Sequence, residues 1–106
     1  LSTEPSSILE IVTTVSNETE ARGLAMGSVE SGLVACSQID GPITSIYRWE
    51  DAIQTASEYR ITMKVSKQKK ELCLEWLTSH HPYQTPEVII RAVESTEKYA
   101  DWVNGR

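Results

Sequence analysis

Ser57-Glu58-Tyr59-Arg60-Ile61-Thr62-Met63-Lys64-Val65 alternates apolar and polar side chains from end to end. Tyr59, Ile61, Met63 and Val65 share one side, while Glu58, Arg60, Thr62 and Lys64 share the other. That period of two predicts a strand with one buried face. The pattern changes at Ser66, which is placed to cap a helix predicted from about residue 67 to 79. Leu72, Cys73, Trp76, Leu77 and His80 recur there at three- and four-residue spacing, the period of a helix with one apolar stripe. His81-Pro82 ends it, because a residue before proline is pushed out of the helical region. Residues 87–93 (EVIIRAV) read as another strand, and Ser95 is expected to cap a short last helix with Tyr99, Trp102 and Val103 on its buried edge.

Upstream, residues 8–15 (ILEIVTTV) are rich in β-branched residues and read as a strand. Asn17 and Glu20 have capping-box spacing and open a helix predicted over about 18–31. Ala21, Leu24, Ala25, Ser28 and Val29 form its inward stripe. Gly23 and Gly27 lie inside that helix at a cost of about 1 kcal/mol each relative to Ala, and are read as packing glycines. Gly32 ends it. Residues 33–39 and 43–50 read as extended, separated by an Asp40-Gly41-Pro42 turn signal. In the second of these, Ile43, Ser45, Tyr47 and Trp49 share one face.

The order β-α-β-β-α-β, with an interrupted second strand region and an added C-terminal helix, predicts an α+β ferredoxin-like sandwich. In that fold the helices cover one sheet face. The other face here mixes Ile and aromatic residues with charges, which predicts that a second copy of the chain covers it.

Composition bounds what such a domain does. With 106 residues there is one core, expected over residues 8–106 behind a flexible tail at 1–7. Ten Lys and Arg against fifteen Asp and Glu give a net charge of −5, which argues against nucleic acid as a partner. No apolar run approaches the roughly 18 to 20 residues of a membrane span. Leu1 to Ser7 shows neither the basic start nor the apolar core of a secretory signal. Cys36 and Cys73 are far apart and form no CxxC pair, so a reducing, cytoplasmic setting is expected and no metal is needed for folding.

The candidate chemistry is sparse. His80 and His81 are the metal candidates, since imidazole suits Cu, Zn and Ni. The competing structural roles are a place in the apolar stripe for His80 and a hydrogen bond to the following turn for His81. Glu58 is a second ligand if the fold brings it to the histidines. Cys36 is either a small buried hydrophobe or a further ligand. Glu87 is expected to pair with Lys64 or Arg91 at a subunit contact. Lys64, Lys67, Lys69 and Lys70 form a basic cluster without a glycine-rich loop, which reads as a solvated helix start rather than a phosphate cradle. No nucleophile stands at motif spacing from a base, so no catalytic residue is assigned.

Two segments carry a resemblance. Leu33-Val34-Ala35-Cys36 leads through Pro42 into Thr44-Ser45-Ile46-Tyr47-Arg48-Trp49-Glu50, and His80-His81-Pro82-Tyr83-Gln84-Thr85-Pro86-Glu87-Val88-Ile89 follows the second helix. Together they resemble the CutA family of divalent-cation-tolerance proteins, over nearly the whole chain. The resemblance implies a non-enzymatic homotrimer associated with copper or another divalent cation. It places Tyr47, Trp49, Lys64, Tyr83 and Glu87 at the trimer interface or its cleft. The same fold and trimer are similar to those of the PII proteins, so a signalling module binding a small ligand or partner at subunit clefts is the alternative. This chain departs from the family in having Asp51 for a usual Gly, Ser95-Thr96-Glu97-Lys98 for a glycine turn, and Thr13 where some members carry Cys.

Overall fold

A computed structural model describes residues 6–105. Residues 1–5 of the expected tail lie outside the described residues, while Ser6 and Ser7 already belong to the first strand. The elements are β1 (Ser6–Val15), α1 (Glu18–Glu30), β2 (Cys36–Trp49), β3 (Ala52–Val65), a 3-10 turn (Lys67–Lys69), α2 (Lys70–His80), β4 (Val88–Ser95) and α3 (Glu97–Asn104). The sheet order is β2-β3-β1-β4, every neighbouring pair antiparallel. β1 and β2 therefore run parallel with β3 between them, joined through α1. This is the α+β split arrangement expected from the sequence.

Parity decides the core. Leu9, Ile11, Thr13 and Val15 stand opposite Val65, Met63, Ile61 and Tyr59 on the face that α1 and α2 cover. Ile11, Val15, Ile61, Met63 and Val65 are fully buried there with Ala21, Cys73 and Leu77. At roughly 1.5 to 3 kcal/mol for each large buried side chain, this layer is the main source of stability. The expected stripes are narrower than their periodicity suggested. Val29 and Leu72, expected inward, are exposed. The opposite face is bare except at one end, where α3 covers Ile8 with Ala100 and Val103.

Local chemistry sets the helix ends. The Asn17 side chain accepts from the Glu20 N–H at 2.8 Å, and its amide donates back to the Glu20 carboxylate at 3.1 Å. Asn17 is thus the N-cap, and the return bond to Glu20 comes from its side-chain amide rather than from the backbone N–H of a full capping box. Ser66 makes no side-chain cap, because the chain enters α2 through the 3-10 turn. Thr96, not Ser95, caps α3, accepting from the Tyr99 N–H. Lys69 is not simply solvated: its ammonium donates to the Gly32 carbonyl at 2.9 Å, closing the exit of α1.

The expected turn at residues 40–42 is instead a bulge within one continuous strand. Pairing passes from Asp40↔Arg60 to Ile43↔Glu58, so three residues on β2 match two on β3. One extra residue reverses the side-chain parity. Gly41 is required there: its φ is +152°, and a Cβ would come within 2.8 Å of the Tyr59 ring and 3.0 Å of the Glu58 carbonyl. The peptide bond between Gly41 and Pro42 is cis. Beyond the bulge, Ile43, Ser45, Tyr47 and Trp49 share the bare face with Glu58, Ala56, Gln54 and Ala52. Residues 44–49 and 52–57 form a two-stranded arm, and the chain measures 54 × 26 × 22 Å in consequence. Its radius of gyration of 15.1 Å exceeds the ~13 Å of a spherical domain this long.

Candidate functional site

The end of the sheet where β1 stops gathers most of the chain's buried polar chemistry. α2 terminates at His80, and His81 turns out of the helix into an extended conformation (φ −71°, ψ 135°) ahead of Pro82. That turn swings the His81 ring inward onto Thr13 and Thr14. Its Nε2 lies 2.9 Å from the Thr13 hydroxyl oxygen and 3.1 Å from the Thr14 carbonyl. Its Nδ1 accepts from the Tyr83 N–H at 3.0 Å. The Thr13 hydroxyl donates to the Glu87 carbonyl at 2.7 Å, so toward the ring it can only accept. These roles fix the tautomer: the proton sits on Nε2, and the lone pair on Nδ1 is already engaged. Burial pushes the His81 pKa below the usual imidazole range, outweighing the Thr14 carbonyl and the charges of Glu20 and Glu58.

Tyr83 carries the cluster outward. Its hydroxyl donates to the Glu58 carboxylate at 2.8 Å, and its ring lies 5.0 Å from that of His81. Burial raises the phenol pKa, and the Glu58 hydrogen bond and the charges of Glu58 and Glu20 raise it further against the Ser16 hydroxyl. The phenol therefore stays a donor throughout the physiological range.

His80 faces elsewhere. Its ring stacks on Trp76 with centroids 4.3 Å apart, and Nδ1 donates to the Trp76 carbonyl at 2.8 Å. In the neutral ring Nε2 then carries an exposed lone pair. Cys36 opens β2 opposite Lys64, whereas Glu58 pairs six residues back along β3, about 20 Å away at the strand rise. One chain therefore does not gather His80, His81, Glu58 and Cys36 into a metal centre. Among the described residues, no three His, Cys, Asp or Glu side chains are grouped to hold an ion. The four donors expected from the sequence do not fit a resident metal within one subunit, because His81 has spent both nitrogens and the others point apart.

The bare face holds a charged cluster centred on a residue that the sequence reading did not single out. Glu10 on β1 receives Arg91 at 2.9 Å and Lys64 at 3.3 Å, and Lys64 also donates to Gln38 at 2.9 Å. Glu87, expected to pair with Lys64 or Arg91 at a subunit contact, lends its backbone carbonyl to Thr13 within the chain. Burial alone would raise the Glu10 carboxyl, but the hydrogen bonds from Arg91 and Lys64 prevail and hold it below the ordinary carboxylate range. Glu10 was missed because only register places it between β3 and β4. Opposition of Glu10 to both Lys64 and Arg91 was the signal that a full strand-pairing assignment would have supplied.

With this geometry established, comparison with known proteins settles the lineage. Residues 9–106 match the family profile described as CutA1 divalent ion tolerance protein. The chain belongs to the CutA1 family. Among its CutA relatives, the divalent-cation tolerance protein CutA of Escherichia coli (strain K12 / DH10B) is 33% identical over 95 residues, spanning 89% of this chain and 85% of that one. The solved CutA of Synechococcus elongatus PCC7942 superposes with a TM-score of 0.91 at 36% identity, covering 96% and 92% of the two chains. CutA1 of Oryza sativa gives 0.88 at 27% identity, covering 95% and 94%. The CutA1 fold thus spans the described residues, arm included.

Proposed function

We propose that this CutA1-family chain works as a non-enzymatic homotrimer whose copies close one another's bare sheet faces, and that it engages divalent cations, copper foremost, as an assembly. The arm of β2 and β3 carries this proposal. A two-stranded ribbon without a third strand or a covering helix is marginal in water. Yet this one displays Ile46, Trp49 and Ile53 at 69%, 56% and 62% exposure. Such a surface fits burial against other copies, and the family resemblance supplies the number three. Tyr47, Trp49, Lys64, Tyr83 and Glu87 are proposed to line the seam.

For the metal, His80 is the imidazole with a lone pair to offer, and Cu(II) stands highest in the general affinity order. Additional donors are proposed to come from neighbouring copies. Both cysteines are free, which supports the proposal of a reducing, cytoplasmic setting. Two variants test the scheme. Tyr47→Asp on the bare face is expected to split the assembly, the monomer losing strand structure in the arm while the helix-covered layer persists, and an unchanged assembly would oppose the seam. In a Cu(II) titration, His80→Ala is expected to weaken binding and His81→Ala to leave it near wild type. The reverse order would oppose the metal assignment.

A further inference from the structure

A groove of about 250 Å³ lies between α1 and α2, away from the sheet-end cluster. Its floor is the surface of α1 at Gly23 and Gly27, and its wall is the stacked pair Trp76–His80. The two glycines act differently. A Cβ on Gly27 would press to 3.1 Å from the Trp76 ring, so that glycine admits the indole. A Cβ on Gly23 would meet nothing within 4 Å, so the space above it is open. Leu24 adds an apolar side.

The polar atoms at its rim share one character. His80 Nε2 is an acceptor, because Nδ1 already donates to the Trp76 carbonyl. Glu20 Oε1 receives Ser16 and Asn17, which leaves Oε2 as an anionic acceptor with no hydrogen bond drawn to it. An indole wall, a carboxylate and an imidazole lone pair are complementary to a cation, through charge and through the ring quadrupole. The Glu20 carboxylate repels an anion.

We propose that the α1–α2 groove is a binding site for a small organic ammonium with an apolar, flat body, the ammonium at Glu20 and His80 and the body over Gly23 against Trp76. The groove is lined by residues of one subunit, and it shares His80 Nε2 with the copper reading above, so its test is run in metal-free buffer.

The test uses the full chain in its native assembly. Phenethylammonium, 2-phenylethanol and 3-phenylpropionate are titrated while the Trp76 indole N–H resonance is followed by NMR, assigned through Trp76→Phe. The ammonium is expected to shift it saturably with a Kd on the order of 1 mM, the alcohol to bind about tenfold more weakly, and the carboxylate not to bind. Gly23→Leu, which fills the groove from an exposed helical position, should abolish the shift and leave the remaining spectrum unchanged. Should that variant unfold, Glu20→Gln still decides, by reducing the ammonium to the strength of the alcohol. No saturable shift, equal binding of the carboxylate, or unaltered binding in a folded Gly23→Leu chain would overturn the site.

Discussion

The imidazole of His81 is held 2.9 Å from the hydroxyl of Thr13, a residue 68 positions earlier in the chain. That contact joins the loop after α2 to the centre of the sheet, and it decides what His81 is available to do. Removing the ring leaves the Tyr83 N–H and the Thr14 carbonyl unpaired in a buried place, each at about 1 to 3 kcal/mol. His81→Ala is therefore expected to lose about 2 to 4 kcal/mol of unfolding free energy, and Thr13→Val about 1 to 2. Urea unfolding of both singles and the double should show a coupling energy above 0.5 kcal/mol in magnitude, roughly the floor for contacting residues. Additive losses would mean the two side chains act independently.

The same contact sets a pH dependence. His81 binds its proton less tightly when folded than when unfolded, so the unfolded chain gains protons first as pH falls. The stability this supplies is full above about pH 6.5 and is lost as pH drops through the lower folded value. Glu10 is also depressed, and its contribution disappears in a separate, more acidic window below about pH 4.5. Unfolding curves should thus show two descents, the upper absent in His81→Gln and the lower reduced in Glu10→Gln. A flat wild-type profile between pH 7 and 5 would contradict the buried neutral imidazole.

The two helical glycines of α1 should part company on substitution. Gly23→Ala meets open space and gains helix propensity, so it is expected to stabilise by about 0.5 to 1 kcal/mol. Gly27→Ala gains the same propensity but drives a methyl to 3.1 Å from Trp76, and is expected to be neutral or destabilising. Thermal unfolding of the pair checks this. Equal gains would show that Trp76 yields freely.

At the tip of the arm, Glu50 and Asp51 have φ of 49° and 65°, the two positive values of a type I′ hairpin turn. Asp51 stands where the family usually has Gly, in a conformation that costs an L-residue about 1 to 2 kcal/mol. Asp51→Gly is expected to stabilise the protein by about 1 kcal/mol in denaturant melts, less the extra chain entropy that glycine loses on folding.

Much of the architecture was legible because it rests on short-range signals. The alternation from Ser57 to Val65 and the Asn17–Glu20 capping pair each declare themselves within a few residues. The Asp40-Gly41-Pro42 segment misled for the same reason: its composition is that of a turn, and only pairing with Arg60 and Glu58 shows it to be a bulge in one long strand. The site was less legible. That His81 would find Thr13, that Glu10 would take both Lys64 and Arg91, and that His80 and His81 would face different neighbourhoods are consequences of register and of the chain's turn before Pro82. The two histidines already had different structural roles in the sequence reading, and the Tyr83 N–H bond to His81 is the turn contact expected of it.

The cysteines offer a compact check of burial. Cys73 is fully buried, and desolvation pushes its thiol up to about 11, whereas Cys36 is partly accessible at the start of β2. Under native conditions a thiol reagent is expected to leave Cys73 unlabelled, with modification there only on unfolding. Rapid native labelling of Cys73 would mean α2 does not pack as described.

The proposal that copies of this chain complete one another is tested most directly by sedimentation equilibrium of the unmodified protein at micromolar concentration. A single species at three times the 11.9 kDa chain mass, unchanged on dilution, is the expected result. A folded, stable species at 11.9 kDa, with its arm and bare face open to water, would contradict it.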